Sequence, residues 1–141
     1  MRLGGRGGPG GLGAAATQDV AGVPTVPLRE AMALAADRDS VAREYLTDFA
    51  ITFELGAPSL RSALDQGRSW TEAVVETYLG LLSAVPDSHV ARKLGPAAAE
   101  SIMRRAREVQ AAGGLHTPEG RQAVAALDAE LRDDRNTRNP G

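Results

Sequence analysis

The strongest constraint on how this chain can fold is a helix whose two ends are both written in the sequence. Ser69, Trp70, Thr71 and Glu72 spell a capping box. In that motif the serine hydroxyl accepts from the amide three residues on and the glutamate reaches back to the serine amide, so two donors that a helix start leaves unpaired are satisfied together. Pro86 closes the segment by pushing the residue before it out of the helical region. Between these marks Trp70, Val74, Tyr78, Leu81, Leu82 and Val85 recur at threes and fours. That spacing predicts one apolar stripe turned toward a core.

From Pro27 onward the chain carries further punctuation of the same kind. Asp39 or Ser40 can cap a helix in which Val41, Tyr45, Phe49 and Phe53 recur at fours, with Gly56 as a left-handed stop. This aromatic stripe reads as core rather than as a cofactor box. Leu60 and Leu64 make a short helix ending at Gly67, and Gly95 followed by Pro96 stops one helix and starts another. Ile102, Met103, Ala106 and Val109 form a face that ends at Gly113 and Gly114. Thr117 and Pro118 open a last helix carrying Val124, Leu127 and Leu131. No segment alternates with period two for long enough to be a strand, so the sequence predicts an all-α, multi-helix bundle.

Residues 1–26 differ in kind. They are rich in glycine and proline, a composition costly to order, and read as an irregular leader or linker before an all-α domain at 27–141. Glycine-rich segments cradle phosphate when they join a strand to a helix. Here no strand-like run precedes them and the Gly-Lys-Ser/Thr ending of a P-loop is absent.

Charge and composition exclude several function classes. At 141 residues the chain holds one domain or a piece of a larger one, and its formal net charge of -2 gives no global basic field for nucleic acid or an anionic membrane. A DNA-binding reading would rest on Arg104, Arg105 and Arg107, with the net charge against it and no helix-turn-helix spacing in support. There is no cysteine, and His89 and His116 are too few to build a zinc site. No apolar stretch approaches the roughly 20 residues that span a bilayer, and the start lacks a signal-peptide core. The expectation is a cytoplasmic protein with neither a membrane nor a nucleic-acid partner.

Chemistry-bearing residues concentrate in one run. Lys93 is the one lysine beside fifteen arginines, and it follows Asp87, Ser88, His89, Val90, Ala91 and Arg92. On a helix Arg92 and Lys93 fall three and four residues after His89, so an acid, an imidazole and two cations can share one edge. The plainer account is that Asp87 or Ser88 is an N-cap and the Arg-Lys pair a solvated helix end. Two further polar clusters stand at helix ends, around Arg38 and Asp39 and around Asp128. Arg132, four residues after Asp128, makes an exposed ion pair a sufficient explanation there. No Ser/His/Asp triad is assignable from spacing, and no His-Glu-x-x-His pattern occurs.

Several spaced segments, in order, resemble the triphosphoribosyl-dephospho-CoA synthase family. They are Gly10 to Gly13, the run from Pro24 through Glu54, Asp87 to Lys93 with Gly95, and Ala111 to Gly114 with Thr117. Leu127-Asp128 with Leu131-Arg132 continues the likeness, and Asn139-Pro140-Gly141 closes it. The resemblance implies a transferase that joins the ribose C1 of ATP to the 2′-hydroxyl of 3′-dephospho-CoA, expels adenine and keeps the triphosphate, making a prosthetic-group precursor. Such a transfer needs a base for the hydroxyl, a donor for the departing adenine, and cations on the triphosphate, with magnesium accompanying ATP.

Set on the matching positions, this chemistry assigns Arg92 and Lys93 to phosphate and His89 or Asp87 to proton transfer. Arg38 and Asn139 become further nucleotide contacts, and Asp39 and Asp128 the metal candidates. Family members run longer at both ends, and their Gly-Leu-Val-Asp and Gly-Ala-His stretches do not occur here. The chain is therefore expected to be a central-to-C-terminal part of a larger helical domain, completed by the missing helices of a longer chain or by a second copy. The wording Asp48 to Glu54 resembles a branch of the family found in archaea, which leaves an acceptor other than dephospho-CoA open. So does the reading of a catalytically incomplete helical module that serves as an interaction partner.

Overall fold

The computed structural model describes residue 23, residues 25–132 and residue 138. These residues hold seven α-helices and no strand, as the sequence predicts. The Gly-rich leader and Asn139 lie outside them. The chain divides into two compact units between Phe49 and Ala50.

The described part of the first unit is a helix pair, α1 (Leu28–Ala33) and α2 (Ser40–Leu46). Its buried residues are alanines: Ala31, Ala35 and Ala42. Small side chains let the backbones approach, and an ion pair from Arg29 to Asp48 at 2.8 Å, with a second bond from Arg29 to the Leu46 carbonyl, ties the pair across its open end. Asp39 is the N-cap of α2, accepting from the amides of Val41 and Ala42.

The helix expected to run on to Gly56 stops ten residues earlier, at Leu46. Asp48 and Phe49 take positive φ values of 53° and 63°, a region that L-residues enter at a cost, and this breaks the segment. Gly56 is no stop: its φ is -66° and the chain passes through it in a right-handed helix. The physical reason is Pro58. Its ring would collide with the carbonyl four residues back in a regular α-helix, and a π-helical run over Ile51–Gly56 opens the turn, the Ala57 amide bonding Thr52 five residues back. The aromatic stripe is not core either, since Val41 is 63% and Phe53 65% exposed.

That run leads into α3 (Ala57–Asp65) of the second unit, followed by α4 (Trp70–Ala84), α5 (Ser88–Leu94), α6 (Pro96–Ala111) and α7 (Pro118–Leu131). Helix α4 packs on α3 and α6, α5 lies on α6, and α6 meets α7. Leu79, Leu82, Val90, Ile102, Val109, Leu127 and Leu131 form the core with Ala99 and Ala106. Each Leu or Ile so buried contributes about 1.5–3 kcal/mol. The capping box is formed as written, Glu72 accepting from the Ser69 amide at 3.2 Å and Ser69 from the Glu72 amide at 3.3 Å.

The stripe expected on α4 reaches the core at Leu82 and is half-buried at Leu81 and Val85, but its first half is not core. Trp70 is 64% exposed and Val74 and Tyr78 are exposed with it, while Ala73, Leu79, Leu82 and Ser83 are buried. Helix α4 carries apolar residues on more than one side, so its own spacing fits two stripes. Packing against α3 and α6 selects the one built on Ala73.

Candidate functional site

The Asp87–Lys93 run folds as α5, a helix of seven residues. Asp87 is its N-cap: Oδ1 accepts from the Val90 amide at 2.7 Å, and Val90 itself is fully buried. Cap and anchor together fix the rotation of the helix about its axis. His89 and Arg92 meet on its outer side, the guanidinium lying 2.8 Å from Nδ1. An arginine only donates, so the contact makes Nδ1 the acceptor and leaves Nε2 as the nitrogen that carries the ring proton. Lys93 is exposed in the last turn, where a cation suits the negative end of the helix dipole.

The phenol of Tyr78 on α4 is held above its ordinary range first by partial burial and then by the negative charges of Asp87 and Asp128. Asp87 and Asp128 thus act on the same neighbourhood, although forty-one residues apart in sequence. Oδ1 of Asp128 also takes the Arg132 guanidinium at 2.8 Å, the ion pair that their spacing suggests.

Arg38 and Asp39 belong to the first unit. There Arg38 bonds the Leu34 carbonyl, and Asp39 spends its oxygen on the α2 amides. Among the described residues no three His, Cys, Asp or Glu side chains converge as a metal site. Oδ1 of Asp39 serves as the α2 cap and Oδ1 of Asp128 pairs with Arg132. Of the Arg104, Arg105 and Arg107 face, Arg105 is paired with Glu108 and Glu130, and Arg107 bonds the Ser83 carbonyl.

A second constellation, which spacing along the chain does not reveal, lies in the second unit. Glu76 on α4 is only 17% exposed at its side chain, with Oε1 3.2 Å from His116 Nε2 and 3.4 Å from Arg68 Nε. Neither approach is aligned as a hydrogen bond, so Oε1 and Arg68 Nε face each other, both buried, as an ion pair with His116 beside them. Arg68 also contacts Nδ1 of His116. These three residues come from α4, from the loop before it and from the loop between α6 and α7.

His116 is placed by a tight turn. Gly113 and Gly114 take φ values of 101° and 53°, Thr117 donates to the Ala112 carbonyl at 2.6 Å and accepts from the Gly120 amide at 2.9 Å, and Gly120 lies against the Gly113–Gly114 backbone. Beside the cluster is a cavity of about 620 Å³ between α3, α4 and the end of α6. One signal for it was present in the sequence: Glu76 is a charged residue in register with Ala73, Leu79 and Ser83, the buried side of α4.

A family model described as ATP:dephospho-CoA triphosphoribosyl transferase matches residues 4–141. The chain belongs to this family. Two relatives agree. A protein of Pseudomonas fluorescens named "Probable 2-(5''-triphosphoribosyl)-3'-dephosphocoenzyme-A synthase" is 30% identical over 83 residues, 59% of this chain and 28% of that protein. A Klebsiella pneumoniae protein named 2-(5''-triphosphoribosyl)-3'-dephosphocoenzyme-A synthase is 32% identical over 75 residues, 53% of this chain and 27% of that one. In these alignments the chain spans under a third of the length of either relative. No solved structure matches it.

Proposed function

We propose that this chain takes part in moving the triphosphoribosyl group of ATP to the 2′-hydroxyl of dephospho-CoA with release of adenine. The observation that carries this reading is the family match across nearly the whole chain. In the transfer, the bond from the ribose C1 to adenine breaks with its electron pair leaving on the base, and a bond from C1 to the acceptor oxygen forms. The hydroxyl proton is lost and one proton ends on adenine, so charge balances.

On α5, Arg92 and Lys93 hold the triphosphate, the first as a planar fork and the second as a point charge. His89, with Nδ1 taken by Arg92, presents Nε2–H as a donor that eases the base away. Asp87 positions the helix through its cap and is the alternative proton carrier. Magnesium enters as the ATP complex and so belongs to the substrate. No helix among the described residues is long and apolar enough to cross a membrane. The absence of cysteine supports a cytoplasmic setting.

The test is to incubate the purified chain with magnesium, ATP and dephospho-CoA and to look by mass spectrometry for free adenine and a triphosphoribosyl adduct. Both products are expected. Intact helical circular dichroism with neither product would overturn the reading for this chain, and adenine release with a different acceptor would reassign the acceptor alone.

A further inference from the structure

One side of helix α4 is apolar and open. Glu76, Leu79 and Gly80 turn to the cavity between α3, α4 and α6, while Trp70, Val74 and Tyr78 turn the other way and are 64%, 43% and 38% exposed. The half-buried Leu81 and Val85 carry the same line to the end of the helix. Leu64 of α3, 37% exposed, widens it, since α3 gives Ser59, Ser62 and Gln66 to the cavity and Leu64 lies across the helix from them.

A helix exposed on one side normally keeps its charges there. Helix α4 has two charged residues, Glu72 and Glu76, and neither is on this side. Glu72 closes the capping box and faces Arg121 at 3.6 Å, and Glu76 is held against Arg68. The open side of α4 therefore carries no charge of its own, and the chain's one tryptophan stands on it.

Three features fit one occupant, a second copy of the chain. The stripe reads nearly the same from either end: with Tyr78 at the centre, an antiparallel pairing sets Trp70 of one copy opposite Val85 of the other and Val74 opposite Leu81. Each time a larger side chain meets a smaller one, the self-complementarity that a two-fold interface requires. Charge agrees with this direction. On the flank where α7 runs, Arg121 faces Glu72 near the Trp70 end, and Asp87 with Asp128 acts on Tyr78 toward the other. Antiparallel pairing sets each Arg121 at the same end as the Asp87 of the other copy and opposes the two helix dipoles, whereas parallel pairing would set like beside like.

The area is sufficient. Aromatic side chains bury about 150–250 Å² each, so at their exposures Trp70 and Tyr78 offer roughly 200 Å². Val74, Leu64, Leu81 and Val85 bring the apolar face to roughly 400 Å², the size of the functional patches found on monomers. Two such faces with their polar rims bury about 1,000 Å², the lower bound of a specific interface.

We propose that this face is a dimer interface, α4 pairing with α4 of a second copy about a two-fold axis at Tyr78. An interface of this area gives a weak, exchanging dimer with a Kd of order 10–100 μM. The dimer depends on no step of the transfer reading.

Sedimentation equilibrium of the purified chain from about 1 μM to about 500 μM tests it. The mass should rise from one chain to two, and the emission of the sole tryptophan, Trp70, should move to shorter wavelength with the same midpoint. Val74→Glu, a change at an exposed position, buries two unpaired carboxylates in the pairing and should weaken dimerisation at least roughly a hundredfold, with helical circular dichroism retained. The chain has no cysteine, so Tyr78→Cys puts a single thiol on the axis, and mild oxidation should join two copies. Arg104→Cys, at an exposed position on α6, should not be joined. A single-chain mass with unshifted emission at the highest concentration would overturn the proposal and leave the face to a different partner. A dimer that survives in Val74→Glu, or that oxidation traps as readily through Arg104→Cys as through Tyr78→Cys, would place the interface elsewhere and overturn it as well.

Discussion

Exchanging one glycine for alanine should have opposite effects at two helices of the second unit, and the structure gives the size of each. A Cβ built on Gly120, in the first turn of α7, lies 2.1 Å from the Gly114 carbonyl oxygen, 2.5 Å from the Gly114 nitrogen and 2.7 Å from the Gly113 carbon. All three are backbone atoms of a turn held at positive φ, so no side chain can swing aside. Overpacking costs about 1–3 kcal/mol, and contacts this rigid belong at the upper end. Alanine returns about 1 kcal/mol of helix propensity, leaving a net loss of about 2 kcal/mol for Gly120→Ala.

At Gly80 the nearest atoms are side-chain tips at ordinary contact distance, so Gly80→Ala should keep the propensity gain of about 0.5–1 kcal/mol. Urea unfolding followed by circular dichroism reads both. With a slope of about 2 kcal/mol per molar, the midpoint should fall by about 1 M for Gly120→Ala and rise by up to about 0.5 M for Gly80→Ala. A Gly120→Ala protein as stable as the parent would refute the close packing of α7 on the Gly113–Gly114 turn, and with it the placement of His116.

Other expectations concern α5 and the capping box. Lys93→Ala should raise the Michaelis constant for ATP about tenfold, the loss of roughly 1.4 kcal/mol that one charge-assisted phosphate contact supplies; an unchanged constant and turnover would return Lys93 to the solvated surface. Asp87→Ala should cost about 1 kcal/mol of stability in thermal unfolding through the lost cap, whereas Asp87→Asn keeps the cap, so a fall in turnover with Asp87→Asn at unchanged stability would assign the carboxylate to chemistry. The Glu72 carboxyl is held below its ordinary range first by the Ser69 hydroxyl and then by the Ser69 amide. Its contribution to stability is therefore complete above the unfolded value near 4.3 and is lost as pH falls through the lower folded value. Ser69→Ala should shrink that acid-side loss, which a series of melting curves from pH 6 to pH 2 would show.

The residues legible from sequence were those whose partners lie within one turn of the chain. Ser69 with Glu72, Asp39 with the α2 amides, Thr117 with Gly120 and the Gly95–Pro96 junction all act within three residues, so their identities suffice to place helix ends. The meeting of His89 with Arg92 is of the same kind. Failures came where two local solutions were equally good. A period of four from Val41 to Phe53 fits one helix, yet Asp48 and Phe49 break it and Pro58 opens the turns beyond. Apolar residues on several sides of α4 fit two stripes, and the exposed Trp70 shows which one the neighbours left out.

The Glu76 cluster is of another order. Arg68, Glu76 and His116 stand up to forty-eight residues apart, and no spacing rule relates them. Helix caps are local hydrogen bonds, and the sequence by itself determined them, the all-α class and the α5 edge. Which side of α4 is buried, and that a carboxylate on that side faces an arginine and an imidazole beside a cavity, only the packing of α3, α4 and α6 decided. Burial is a property of what surrounds a residue, and the surroundings of Glu76 come from other segments of the chain.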